Sequence, residues 1–438
     1  MKFAWHVFVV FVALIAIPAA ADSTTGRTTL VWISLDGVRP DYLDRADTPF
    51  FDRLSEHGVY SREHKPLFPS LTFAAHVTKA TGAPVEKHGI PGNAFYDNRR
   101  DRSYGYPNFP WLLEAEPIWT TATRQGVTTA VFGWPLSHRQ RGKHRARYAD
   151  ESFDRNLNDT QRLFHLLDTW RKHDDPEPVR LLMGYGIGPD DAGHRHGPDA
   201  KETAAAMAVA DQLMAKFEQG MLALWHARRG PNDILYLWVT SDHGMSAVHT
   251  LVNLRRCAGL PARSPVRLVT GGHIGHLFLN RIDDPDARAT MRADLLTRLR
   301  AHDFITVYER DDLPARWRYR HPHRTGDLVA ILPRGYTFNG RIRQDTQSAQ
   351  DVGEPLGMHS YCADDNPEML TVAFFQRYPE PLGGRNIGPI DMDRLHATAA
   401  RLLGIEPAPD ARPNPIDLVV APTADRETNA VSACGTAK

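Results

Sequence analysis

Ile234-Leu235-Tyr236-Leu237-Trp238-Val239-Thr240-Ser241-Asp242-His243 is an unbroken apolar run that ends in a carboxylate and an imidazole. Continuous rather than alternating apolarity predicts a strand covered on both faces, the kind found in parallel sheets sandwiched between helices. In such sheets functional side chains gather beyond the carboxyl ends of the strands. Asp242 and His243 stand at that position.

The same pattern recurs upstream. Leu30-Val31-Trp32-Ile33-Ser34-Leu35 leads into Asp36, and a run over 180–185 precedes Asp190 and His194. Residues 128–132 form a further strand-like run. Helical periodicity covers 49–58, 72–81, 111–125, 159–172 and 200–228, with an amphipathic helix over 391–403 closing the chain. Strands alternating with helices predict the α/β class, with a mostly parallel central sheet covered by helices on both faces. A strand-like run at 327–332 follows a Pro/Arg/His-rich stretch at 308–324.

Asp190 and His194 are four residues apart, so one tight turn or helix start can aim both at a single metal ion. Asp242 and His243 form a second such pair, and Asp36 supplies a third carboxylate. Three acidic strand ends, two of them with histidine, point to a two-metal hydrolase with its metal site at the strand carboxyl ends. Thr72 opens a helical segment directly after Pro69-Ser70-Leu71. A hydroxyl there caps a helix, but the same free N–H groups and positive dipole end also bind phosphate.

The chain has 438 residues, with 52 basic and 52 acidic side chains, so no polyanion partner and no nucleic-acid duplex binding is expected. The basic stretch 138–147 reads as a solvated loop. Lys2, the apolar run 7–17 and Pro18-Ala19-Ala20-Ala21 read as a signal peptide over 1–21, placing the mature protein in the periplasm or outside the cell with no membrane span. Residues 22–415 are expected to form one catalytic domain, and 416–438 a loosely held tail. An oxidising compartment permits a bridge between Cys257 and Cys362, leaving Cys434 unpaired. The spacing of the three matches no zinc pattern, so they read as non-catalytic.

Ser34-Leu35-Asp36-Gly37-Val38-Arg39-Pro40-Asp41-Tyr42-Leu43, then Phe68-Pro69-Ser70-Leu71-Thr72-Phe73, His88-Gly89-Ile90, Asn93, Glu116-Pro117-Ile118-Trp119, Trp134-Pro135, Asp190 to His194, Ser241 to Met245 and Gly357-Met358-His359 occur in one order. Together they resemble the nucleotide pyrophosphatase/phosphodiesterase family of the alkaline phosphatase superfamily, over nearly the whole mature chain. The resemblance implies an alkaline-phosphatase-like core and two zinc ions. Asp190, His194 and His359 would hold one zinc. Asp36, Asp242 and His243 would hold the other, with Thr72 as the nucleophile beside it and a phospho-threonine intermediate. Asn93 would contact a non-bridging phosphate oxygen, and a small phosphodiester or nucleotide would be the substrate.

Phe73, next to the nucleophile, is a candidate platform for the second ester group. Tyr148 is a candidate base-stacking residue, with Ala149 competing for the same place. Where the family commonly reads Thr-Phe-Pro-Asn-His, this chain has Ala74-Ala75 before His76, which alters the pocket wall. Arg139 and Arg141 would be the cations of the rival phosphomonoesterase reading. A phosphonate hydrolase is a further rival, whereas a non-enzymatic binder fits poorly, since all six candidate ligands and Thr72 are present. Arg39 and Asp41 are expected to orient the Asp36 loop, and His76 and His88 to support the local fold.

Overall fold

In the computed structural model, which describes residues 26–173 and 178–419, Thr28–Leu35 is the axis of the central sheet. It runs parallel to Ile234–Ser241 on one side and Leu181–Gly186 on the other, with Leu35 opposite both Ser241 and Gly186. That register brings Asp36, Asp242 and the chain following Gly186 to one sheet edge. Thr129–Phe132 and Tyr148–Ala149 extend the parallel half. On the other flank lie Thr371–Tyr378, Val59–Lys65 and Arg385–Asn386.

Both faces of the axial strand are covered, as its continuous apolarity requires. Val31, Ile33 and Leu35 pack with Leu163, Leu166, Met214 and Phe217, from helices Asp159–His173 and Lys201–Arg228. Leu30 and Trp32 face the opposite layer with Trp119, Trp134 and Trp238. The Trp32 ring meets Trp134 and Trp238 edge-on at 5.3 and 5.1 Å, while its N–H donates to Thr240 Oγ1 at 2.9 Å. Each such ring pair adds about 0.5–1.5 kcal/mol beyond area burial.

The sheet is mixed, because Thr371–Tyr378 is antiparallel to both neighbours. This strand is absent from the expected set, although Val372-Ala373-Phe374-Phe375 is as apolar as the other strands. The helix expected over 111–125 is broken: a 3-10 turn at Pro110–Leu112 is separated from a helix at Ile118–Arg124. Pro117 disfavours helical geometry in the residue before it, which places the helix start just after the proline. The helix expected over 391–403 is regular only from Leu395 to Leu403, after a 3-10 turn at Met392–Arg394.

A second, antiparallel sheet of Arg267–Gly271, Ile274–Phe278, Leu328–Ile331 and Thr306–Glu309 carries helix Pro285–Arg300 on its own core of Leu254, Leu277, Leu295, Leu299 and Leu328. It reaches the site through His273, whose backbone N–H donates to Ser360 Oγ at 2.9 Å, beside His359.

One expectation needs correction. Ile416 and Leu418 are buried in the main core, so the folded body extends past 415. Cys257 and Cys362 are both buried and both free, because they belong to separate apolar clusters. Cys434 and the segment 1–21 lie outside the described residues. No helix among the described residues is long and apolar enough to cross a membrane.

Candidate active site

Asp36 and Asp242 each follow the last residue of a central strand, and Asp190 opens the helix Asp190–His196. His359 follows the short strand Gly357–Met358, which pairs with Ser246–Ala247 just past His243. His243 is the hub. Its Nε2 lies 3.2 Å from Asp36 Oδ1, 3.3 Å from Asp242 Oδ2 and 3.3 Å from Thr72 Oγ1. Asp190 Oδ2 lies 3.4 Å from His194 Nε2, and its Oδ1 lies 3.9 Å from His359 Nε2. Two buried groups, Asp36–Asp242–His243 and Asp190–His243–His359, thus offer metal-sized constellations that share His243.

The imidazoles are oriented by the backbone. His359 Nδ1 donates to the Ser70 carbonyl at 2.7 Å, His194 Nδ1 to Gly357 at 2.8 Å and His243 Nδ1 to Gly244 at 3.0 Å. With Nδ1 carrying the proton, each Nε2 presents a lone pair to the centre, as a metal ligand must. The carboxylates are also poised. Asp36 Oδ1, Asp190 Oδ1 and Asp242 Oδ2 are buried with no hydrogen-bond partner. A buried carboxylate oxygen without a donor is costly unless a cation completes it. Mixed aspartate and histidine donors suit Zn²⁺, so the residues fit that ion.

The electrostatics agree with this. Burial, and then the charges of Asp242 and Asp190, push the Asp36 carboxyl well above the usual range. Burial also raises Asp190. Burial opposes ionisation of Asp242 too, yet His243, His76 and Lys79 hold it well below the ordinary value. Burial, reinforced by His243 and His194, keeps His359 neutral.

Behind these carboxylates and imidazoles runs a polar chain of which the sequence reveals only His76. Lys79, fully buried, donates to Ser34 Oγ at 2.6 Å and lies 5.2 Å above the Trp134 ring. Ser34 Oγ in turn meets His76 Nε2 at 2.9 Å, and His76 Nδ1 donates to the Thr72 carbonyl at 2.8 Å, 3.4 Å from Asp242 Oδ2. Burial lowers Lys79 to about 8, with Asp242 and Asp36 working the other way. The available signal was a lysine inside the otherwise small and apolar segment Val77-Thr78-Lys79-Ala80. Arg39 braces the Asp36 loop, as expected, through Asp41, Asp199 and the Met245 carbonyl.

A cavity of about 380 Å³ opens over Asp36, Thr72, Asp190, His194 and His359. Thr72 begins the helix Thr72–Thr81. Asn93 Oδ1 accepts from the Phe73 backbone N–H at 2.9 Å, which leaves its NH₂ open to a ligand. Phe73 lines the cavity. Tyr148 does not: it belongs to the sheet-edge strand Tyr148–Ala149, and its ring stacks on His173 at 4.7 Å. The aromatic walls are Phe73, Tyr106, Phe153 and Tyr185. Arg139 and Arg141 also point elsewhere, both bonding Glu151. His138, for which the sequence suggests no role, lines the cavity instead, as does Arg155.

Residues 30–362 match the model of the family described as type I phosphodiesterase / nucleotide pyrophosphatase. An uncharacterized pyrophosphatase/phosphodiesterase of Schizosaccharomyces pombe is 27% identical, over 88% of this chain and 78% of that protein. Human bis(5′-adenosyl)-triphosphatase ENPP4 is 26% identical, over 92% of this chain and 84% of its own. In fold, the chain is similar to murine ectonucleotide pyrophosphatase/phosphodiesterase 5 solved in complex with AMP. The TM-score is 0.73 at 23% identity, covering 87% of this chain and 96% of that one. A match across most of the chain, on top of this site, settles its kinship: the protein belongs to the type I phosphodiesterase / nucleotide pyrophosphatase family.

Proposed function

We propose that the protein is an exported two-zinc phosphodiesterase/pyrophosphatase that hydrolyses small nucleotide-type diesters through a phospho-threonine on Thr72. The observation that carries this reading is the convergence of Thr72 Oγ1 on His243, within a cluster of three carboxylates whose buried oxygens lack donors. Asp36, Asp242 and His243 would hold one zinc, and Asp190, His194 and His359 the other. Bound zinc would supply positive charge to offset what develops on the attacking and leaving oxygens.

The chain's own residues do the rest. Thr72 Oγ forms a bond to phosphorus as the ester oxygen of the leaving group departs, and water then cleaves the phospho-threonine. Asn93 donates its NH₂ to a non-bridging oxygen, held in place by the Phe73 N–H. Phe73 offers an apolar face to the retained group. Export is supported by the signal-like sequence at the N-terminus.

The test compares kcat/KM of the zinc-loaded protein for a nitrophenyl ester of a nucleoside 5′-monophosphate and for nitrophenyl phosphate. Strong preference for the diester is expected. Preference for the monoester would replace this reading with a phosphomonoesterase.

A further inference from the structure

We propose that Lys79, fully buried behind the site, is a positioning residue for Thr72 and acts on it through Ser34 and His76. The inference rests on the reading in which Thr72 attacks phosphorus, and it adds a residue that never meets the substrate.

Helix Thr72–Thr81 is buried along its whole length. Thr72, His76 and Lys79 stand at positions i, i+4 and i+7, which share one face of a helix. That face meets the carboxyl end of Thr28–Leu35, where Ser34 lies two residues before Asp36. Lys79 is 0% exposed, and no carboxylate among the described residues pairs with it. A buried ammonium without an ion pair costs stability, so packing is a poor reason for a lysine here. Burial lowers its pKa only to about 8, which leaves the side chain charged at neutral pH.

The groups at the two ends dictate the direction of every hydrogen bond between them. An ammonium only donates, so Ser34 Oγ accepts from Lys79 at 2.6 Å. A carbonyl only accepts, so His76 Nδ1 carries the proton that goes to the Thr72 carbonyl at 2.8 Å. His76 Nε2 is left as an acceptor, and the Ser34 hydroxyl donates to it at 2.9 Å. One directed chain thus runs from Lys79 to the main chain of Thr72. The charge at its head polarises the Ser34 O–H, which strengthens the bond to His76 and then the bond from His76 to Thr72.

The far end of the chain is the reacting site. His76 Nδ1 also lies 3.4 Å from Asp242 Oδ2, and its ring sits edge-on between Trp134 and Tyr185, at 5.0 and 5.1 Å. Tyr185 donates to Asp36 Oδ2. The Trp134 N–H donates to the His76 carbonyl at 3.2 Å, and its ring lies 5.2 Å from the Lys79 ammonium. A shift of His76 would therefore move Thr72 relative to both Asp36 and Asp242. A nucleophile displaced from its line of attack loses rate while substrate binding is kept.

The test compares the zinc-loaded parent with Lys79→Met, which is close in volume, on the nitrophenyl ester of a nucleoside 5′-monophosphate. We expect kcat to fall about tenfold or more with KM within about twofold, while zinc content and the urea midpoint match the parent. Unchanged kcat would overturn the proposal. So would a fall in kcat accompanied by loss of zinc or of stability, which marks a purely structural lysine.

Nitrogen NMR of the imidazole rings, assigned with His76→Gln, gives a readout independent of turnover. The His76 Nε2 resonance should have the position of a hydrogen-bonded acceptor in the parent and move toward that of an unbonded nitrogen in Lys79→Met. Parent protein that hydrolyses no diester defeats the phosphodiesterase reading alone. The Nε2 shift in that same protein would still uphold Lys79 at the head of the chain, and an unmoved resonance would remove it.

Discussion

His243 and His359 lie face to face, with ring centroids 3.5 Å apart and planes 10° from parallel. Two protonated imidazoles at that separation would repel strongly, and both Nε2 atoms already face buried carboxylates. The stack is favourable when both rings are neutral and a cation lies between ring nitrogens and carboxylates. Removing metal with a chelator should therefore lower both activity and Tm, and added zinc should restore them. A ligand present at about a thousand times its Kd stabilises by about 4 kcal/mol, which gives the scale of the shift. An unchanged Tm on chelation would argue against resident metal.

Thr72→Ala should abolish turnover, by about a thousandfold or more, while leaving zinc content unchanged. In the proposed reaction its hydroxyl attacks phosphorus, whereas the carboxylates and imidazoles would hold the metal. Asp190→Asn and His359→Ala should show the converse, with zinc depleted on elemental analysis. Wild-type zinc content in either would contradict the ligand assignment.

Gly37 has φ of +69°, and a Cβ added there would lie 2.9 Å from Asp190 Cα and Cβ. The left-handed conformation alone costs an alanine about 1–2 kcal/mol. The contact would also push Asp190 away from Asp36. Gly37→Ala is thus expected to lower both Tm and zinc occupancy; a variant matching the parent in zinc titration would show that the Asp36 turn tolerates the shift.

Ser34 is the hydrogen-bond partner of Lys79, which has no ion pair among the described residues. Ser34→Ala would strand a buried ammonium and should cost about 2–4 kcal/mol in urea unfolding. Lys79→Met should be close to neutral, since a flexible apolar chain fills the same space. The double variant should then lose less than Ser34→Ala, keeping only the cost of His76 Nε2 without its Ser34 partner. Additive losses would mean the two side chains are not coupled.

His396 Nδ1 donates to the Ala80 carbonyl at 2.7 Å, and its Nε2 accepts from the Ala408 N–H at 3.0 Å. Burial lowers its pKa to about 4. The folded state therefore stays neutral while the unfolded chain takes up a proton near pH 6.5. Stability is full above that pH and falls as the pH drops toward 4, by about 1.4 kcal/mol per pH unit for each such histidine. His64, His88 and His273, each lowered to about 3 mainly by burial, act in the same sense. Urea unfolding between pH 7 and 4 should show this slope, made shallower in His396→Gln. A flat profile would exclude it.

Much of the candidate site was legible in the chain itself because its acidic and imidazole groups are local to strand ends. An apolar run followed by Asp36 or Asp242-His243 reports both the strand and the position of the carboxylate, since a parallel sheet delivers every such end to one edge. Thr72 was legible for a related reason, as the first residue of a helix. What required the tertiary structure was whatever depends on side chains distant in sequence. His243 became the shared hub through the register of Ile234–Ser241 against Thr28–Leu35 and the approach of Gly357–Met358. Lys79 and Ser34, and His138, Tyr106 and Arg155, lie on different segments whose packing no spacing encodes. Tyr148 shows the same limit from the other side: motif order placed it near the substrate, and its pairing at the sheet edge took it away. Strand ends are set by local apolarity, but the walls of a cavity are set by which loops meet above them.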